Sequence, residues 1–349
     1  MRTFLLINLV IVFLFQNTDS TCAQDKIEVR PHHHVGQATL PCTILDFTHS
    51  EIKVKLLPSG TVKIYPSSEI VKVHTPQTEQ HQQGLEQLQK GEYEKAIDSF
   101  NEALNIENRL WVRREILALM TKAALALGDN LKAAHRFQIM VENEPDARSF
   151  DLIPLDWGIK ETLSPVRNAA QNWLTEQDEV KQLIGASILL TAPDYQAQAE
   201  AALRSLATSP RVNIQQLARS QLWRLRLRTG DISLLELQRW ERNLNQVPEH
   251  LRAGPHFLLG TGYAMLERHG QAAASFLWIP LAENSNPQLS AEASLKAADS
   301  ILAMGQTNNA LRLYQETAAR YSISPARQMA LQMIDQITKT SSQPKTQDN

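Results

Sequence analysis

The feature that most constrains this chain is a spacing that recurs. Between residues 77 and 147 a pattern of small and aromatic side chains repeats after 37 positions. The first copy, QTEQHQQGLEQLQKGEYEKAIDSFNEALNIENRL, sets out Gly84, Gly91, Tyr93, Ala96, Phe100 and Ala103. The second, REILALMTKAALALGDNLKAAHRFQIMVENEPDA, has Gly128, Ala133 and Phe137 at the places of Gly91, Ala96 and Phe100, and Pro145 ends it. Each copy reads as a helix, a tight turn and a second helix. Ala96, with Ile97, lets the second helix lie close against the first. Gly91 stands where the turn needs a positive φ, which only glycine adopts without strain.

This pattern resembles the tetratricopeptide repeat, a unit of about 34 residues, with the excess falling in the connecting turn. The resemblance implies an α-solenoid, and a family whose members mostly bind other proteins and are seldom enzymes. The spacing returns over 249–338. RAGPHFLLGTGYAMLERHGQAAASFLWIPLAEN places Leu259, Gly260, Tyr263, Ala272 and Phe276, and the next unit has Gly305, Ala310 and Tyr314 after a shift of 38. Pro280 lacks an N–H and clashes inside a helix, so it should end the second helix of the third unit early. Ser324-Pro325 should open a capping helix to about Thr338. Residues 339–349 read as a polar disordered tail.

Between 151 and 247 the sequence stays helical but loses that spacing and resembles HEAT-like repeats. Ser164-Pro165-Val166-Arg167 and Ser209-Pro210-Arg211-Val212 each suggest a serine N-cap with proline at the first helical position. DEVKQLIGASILLTA reads as a buried helix and PDYQAQAEAALRSLAT as its amphipathic partner. Arg224-Leu225-Arg226-Leu227-Arg228 alternates as a strand would, but helical flanks favour a helix with solvated arginines. An anion site on that cluster is the functional alternative.

Residues 37–75 are β-type: short, β-branched and alternating, with a turn at Pro58-Ser59-Gly60. They suggest a small SH3-like or Sm-like barrel, and a domain of that size is expected to lean on the first repeat. Residues 24–36 read as a flexible polar lead-in. Its run His32, His33 and His34 could hold a metal, but a solvated tail is the plainer reading. The expectation is therefore no metal and no cofactor.

Met1-Arg2 followed by the apolar run Phe4–Phe15 and by Thr21-Cys22-Ala23 reads as a signal peptide cleaved after Ala23, placing the chain in the periplasm or outside the cell. An apolar run of twelve residues rises only about 18 Å as a helix, short of the ~30 Å of a bilayer core. A lipidated Cys22 is the rival processing, though Asp19 stands where an apolar residue belongs. Only Cys42 then remains, without a disulfide partner; it reads as a small packed strand residue. A net charge of −2, mixed along the chain, gives no nucleic-acid or membrane-surface footprint.

No catalytic spacing is present: no His-Glu-x-x-His, phosphate loop, Gly-x-Ser-x-Gly or Cys-x-x-Cys. What remains is the concave face. Carried over from the family, its lining is Thr78, His81, Leu85, Leu88 and Gln89 in the first repeat, and Glu115, Ala118, Lys122, Leu125 and Ala126 in the second. In the third it is Gly254, Phe257, Thr261, Ala264 and Met265, and in the fourth Glu292, Leu295, Asp299, Leu302 and Ala303. No lysine and arginine cluster is there to clamp a terminal carboxylate, so a peptide or helix held by apolar anchors fits better. Trp111, beside Arg113 and Arg114, is the candidate surface anchor; the other tryptophans read as core. The expected function is an exported, non-enzymatic scaffold for a protein or peptide partner. The alternative is an accessory subunit of an envelope complex.

Overall fold

The computed structural model describes residues 24–30, 36–142, 144, 147–160, 166–282 and 285–342. The signal-like segment and the three adjacent histidines lie outside them. The chain forms two compact units, residues 1–76 and 77–349.

The first unit is a five-stranded antiparallel sheet in the order β4-β3-β2-β1-β5. Its strands are β1 (Lys26–Val29), β2 (Ala38–Phe47), β3 (Glu51–Leu56), β4 (Val62–Pro66) and β5 (Ile70–His74). Alternation decides the faces: Ile27, Cys42, Ile44, Ile52 and Val54 point inward and are at most 3% exposed. The expected lead-in is corrected here. Lys26–Val29 is an inner strand, paired with β2 on one side and β5 on the other. Buried Asp25 fixes it: its carboxylate accepts the Ile44 N–H at 2.9 Å and the Thr75 hydroxyl at 2.6 Å, and its carbonyl accepts the Cys42 N–H. Cys42 is sealed, with its thiol pushed up to about 11 by burial and by the charge of Asp25.

The second unit is helical. It opens with α1 (Glu79–Gln89), α2 (Tyr93–Ile106), α3 (Leu110–Ala126) and α4 (Asn130–Glu142). The middle holds α5 (Arg167–Thr175), α6 (Glu179–Leu189), α7 (Gln196–Leu206), α8 (Val212–Gln221), α9 (Trp223–Thr229) and α10 (Leu234–Asn243). It closes with α11 (Ala253–Met265), α12 (His269–Ala282), α13 (Pro287–Ala303), α14 (Thr307–Arg320) and α15 (Pro325–Ser342).

Four hairpins, α1/α2, α3/α4, α11/α12 and α13/α14, share one turn. Gly91, Gly128 and Gly305 have φ between 73° and 76°. Each follows the same pair of bonds: Gly91 N–H to Leu88 carbonyl with Glu92 N–H to Gln87 carbonyl is matched by Gly128 with Asp129, and by Gly305 with Gln306. This is the Schellman ending of a helix. In the third hairpin the position belongs to Glu267, which makes the same bonds at φ 56° and is the one non-glycine residue with positive φ among those described. A left-handed residue with a Cβ costs about 1–2 kcal/mol, while glycine adds chain entropy to the unfolded state. Glu267→Gly should therefore raise unfolding stability by about 0.5–1 kcal/mol, read as a higher denaturant midpoint; an unchanged or lower midpoint would refute the strain.

The crossings repeat too. A Cβ on Gly84 would meet the Phe100 ring at 2.5 Å, and one on Gly260 the Phe276 ring at 2.8 Å. Ala96, Ala133, Ala272 and Ala310 are fully buried where the paired helices touch. At the far end Ala298, Ala310, Tyr314, Tyr321 and Ala330 form one core that α15 closes.

Five expectations are corrected. Helix α12 runs two residues past Pro280 to Ala282; the proline gives up one bond to the preceding turn without ending the helix. Helix α8 starts at Val212, not Pro210, because buried Ser209 spends its hydroxyl on the Arg211 N–H at 3.1 Å. Helix α15 continues to Ser342, as nothing before Pro344 stops it. Ser164 and Pro165 lie outside the described residues. Trp111 is 5% exposed, packed on the buried side of α3 with Val112 and Ile116, so it is core and no surface anchor. Residues 151–160 are not helical beyond a single turn at Phe150–Leu152, with Pro154 keeping the segment extended.

His256 illustrates the polar side of this packing. Its ring stacks on Trp278 at 4.3 Å, and its Nδ1 has no partner. Burial, with Arg252 nearby, lowers its pKa to about 4. His81, edge-on to Phe100, is lowered by burial as well. A histidine kept neutral in the fold leaves stability unaffected above about pH 6.5, the unfolded value, and removes it as pH falls toward 4. For His256 the loss should reach about 2 kcal/mol by pH 4.5, allowing for residual ring exposure. Urea midpoints at pH 7 and 4.5 check this: His256→Phe should shrink the decline, and an equal decline in both proteins would refute it.

Candidate functional site

The inner face of the helical unit is not an open groove. Residues 147–160 run through it as an extended strap. Phe150, Leu152, Ile153, Leu155 and Trp157 on this strap are all buried. A buried strand without a sheet leaves backbone groups to satisfy, and three side chains of α6 and α8–α9 do so. Ser187 Oγ accepts the Asp156 N–H at 2.9 Å, and Gln221 donates to the Asp156 carbonyl at 3.1 Å. Arg224, its side chain 0% exposed, donates to the carbonyls of Gly158 and Ser187, each at 2.6 Å, and to Gln221 Oε1 at 2.7 Å. It also pairs with Asp156 Oδ2 at 2.8 Å. Of the expected trio of solvated arginines, then, Arg226 and Arg228 are exposed and Arg224 is not. Burial lowers the pKa of Arg224, and Asp156 counters that.

The strap takes part of the expected lining out of reach. Gly254 lies beneath Trp157: a Cβ there would fall 2.0 Å from the indole. Glu115 stays exposed but outside the cavity that the strap leaves open; partial desolvation raises its pKa, opposed by Arg148 and Arg109. Thr78 caps α1 by accepting the His81 N–H, and the His81 ring is 1% exposed in the α1/α2 core. Leu85, Gln89 and Lys122 also stand apart from what the strap leaves open.

What is left open is a cavity of about 590 Å³. Gln288 donates from Nε2 to the Ala126 carbonyl at 2.5 Å, so α13 touches α3 and the array curls on itself. Phe257 and Thr261 of α11 form one wall, Glu292, Leu295, Lys296 and Asp299 of α13 another, Leu125 with strap residues Leu155–Lys160 a third, and Ser324, Pro325, Ala326 and Met329 at the start of α15 close the remaining side. The structure thus brings Phe257, Thr261, Glu292 and Asp299 together and leaves Thr78, His81, Leu85, Gln89, Trp111, Glu115 and Lys122 outside. Asp156, Trp157 and Lys160 complete the site without any spacing in the sequence to mark them.

The α13 wall carries charge at i, i+4 and i+7. Glu292 lies 3.7 Å from Lys296 and is 53% exposed at its side chain. Asp299 accepts the Tyr314 hydroxyl at 2.6 Å. Lys296 Nζ sits 5.7 Å from the Phe257 ring centre. Both carboxyls are raised by the desolvation of the cavity walls; Lys296 opposes this at Glu292 and Asp156 adds to it, while at Asp299 the Tyr314 hydroxyl opposes it. They are wet yet hemmed in, which is how a concave site shifts a group that water still reaches. Among the described residues no cluster has the makings of a metal site, and no helix is long and apolar enough to cross a membrane.

No family model matches the chain, and no curated protein does. Among solved structures it is similar to the TPR2AB-domain:pHSP90 complex of yeast Sti1, at 14% identity and a TM-score of 0.27, over 76% of this chain and 97% of that one. The assignment of helical hairpin repeats rests on this chain's own turns and crossings.

Proposed function

We propose that the helical unit is a non-enzymatic scaffold that binds a protein or peptide partner in the cavity between α3, α11, α13 and the strap, and that the chain is exported to do so. One observation carries the reading: repeat positions that line concave faces in the tetratricopeptide family, Phe257, Thr261, Glu292 and Asp299, converge on one cavity with an aromatic floor and open polar groups. That composition, mostly apolar with a few placed polar groups, is what ligand sites have. Export rests on residues 1–23, and N-terminal sequencing of the mature protein should begin at Gln24.

The test is site-specific photocrosslinking in the native host. A benzophenone side chain at Thr261 should capture one partner, and the same group at Gln89 or at Val62 of the sheet should not. Capture from Val62 alone would move the function to the first unit and leave the helices as a spacer. A second reading, an obligate subunit of a larger envelope complex, is favoured by the uncharged helix α12, where Leu281 is 80% exposed beside part-exposed Trp278. Such a subunit should aggregate when purified alone.

A further inference from the structure

Resting on the reading of the cavity as a peptide site, we infer that it takes a peptide segment carrying a basic side chain, whose cationic head lies between Glu292 and Asp299. The open hydrogen-bonding capacity points this way. An ionised carboxylate offers about four acceptor positions. Asp299 uses one for Tyr314 and makes no ion pair among the described residues. Glu292 has only the long contact to Lys296. Asp156, on the strap, by contrast has its charge paired with the buried Arg224 guanidinium at 2.8 Å and accepts the Gly158 N–H at 2.9 Å. The carboxylates least engaged by cations therefore stand on one wall, α13.

The wall also shows what it accommodates. Lys296 already holds an ammonium over the face of Phe257, which shows that the wall takes a cation there, and a ligand guanidinium can fork to a carboxylate beside it. A ligand carboxylate meets the reverse. It would have to take Lys296 from Glu292 and come to rest beside the charges of Glu292, Asp299 and Asp156. Lys160, on the strap, is exposed and makes no ion pair among the described residues, which leaves it for the backbone or an acidic neighbour of the bound residue. Leu125, Leu155 and Leu295 back the cavity walls, each at most 6% exposed.

The raised carboxyls add a consequence. A bound cation favours their ionised form, so binding must release protons and tighten as pH rises through their titration. Calorimetry on the full chain with three pentapeptides, acetyl-Ala-Leu-X-Leu-Ala-amide with X as Arg, Gln or Glu, tests this. The Arg peptide should bind about ten-fold tighter than the Gln peptide, and the Glu peptide weakest. The Arg preference should grow from pH 5 to pH 7 and shrink in Asp299→Asn and Glu292→Gln, two exposed positions whose helical circular dichroism should not change. If the Gln or Glu peptide binds as well as the Arg peptide, the cation inference falls and the peptide-site reading stands. If none of the three binds and Thr261 crosslinks nothing, the reading of the cavity falls first and takes this inference with it.

Discussion

Asp156→Ala should cost about 3–5 kcal/mol of unfolding stability, the largest effect of any exposed-looking loop residue in this chain. The residue does not lie in a helix or strand, and its own side chain is 29% exposed. The cost arises at its partner. Arg224 has no exposed side-chain surface, and Asp156 is the only carboxylate it pairs with among the described residues. Without Asp156 the guanidinium is buried with carbonyls for company and no opposite charge. Removing one member of a buried pair is far more damaging than replacing both. The reverse change, Arg224→Met, should cost less, about 1–3 kcal/mol, because Asp156 can turn to water while the carbonyls of Gly158 and Ser187 lose a donor. The double variant should be more stable than the sum of the two losses implies, since the interaction is counted twice in that sum. Denaturant midpoints of the four proteins give the result. An Asp156→Ala protein within about 1 kcal/mol of wild type would mean that the strap is not held by this pair.

That strap also shows where sequence reading stops. The turns were legible because glycine has a backbone reason to be at Gly91, Gly128 and Gly305. The crossings were legible because Ala96, Ala133 and Phe100 recur at fixed spacing. The same turn went unread at Glu267, where the chain accepts strain in place of glycine. Nothing local links Asp156 to Arg224, which are 68 positions apart. Each reads alone as a solvated charge, and the helix containing Arg224 alternates in a way that suits three exposed arginines equally well. Trp111 failed for a related reason. Its flanking arginines suggested surface, but on α3 it is Leu110 that faces out, 67% exposed, while Trp111 next to it is buried. The first strand was missed because four residues, KIEV, carry too little pattern against a polar flank.

For the candidate site, family positions found the α11 and α13 walls and missed the third. A repeat position says which side chains face the concave side. It says nothing of a chain segment that comes back to fill that side. Six of the expected lining residues, Leu125, Phe257, Thr261, Glu292, Leu295 and Asp299, reach the cavity, all but Leu125 from the late repeats. The other early ones, from Thr78 to Lys122, stand outside it, with His81 buried in the α1/α2 core.

Gly254→Ala tests how rigid that arrangement is. One methyl group is added at the surface of α11, where alanine would normally strengthen a helix. Here its Cβ would lie 2.0 Å from two atoms of the Trp157 ring, closer than any packing permits. Helix α11 cannot retreat, because Phe257 and Gly260 on the same helix are locked against Phe276. The indole must leave, and losing a buried tryptophan costs about 3–5 kcal/mol; partial re-seating would hold the loss near 3 kcal/mol. The variant should unfold earlier, and the emission of Trp157, isolated by comparison with Trp157→Phe, should shift to the red. Because Trp157 also lines the cavity, the same change should weaken the Arg peptide while leaving its preference over the Gln peptide intact, since Glu292 and Asp299 do not move. A stable Gly254→Ala protein with unshifted emission would show the strap to be loosely seated. Stability lost together with the charge preference would show that the strap and the α13 wall form one cooperative element.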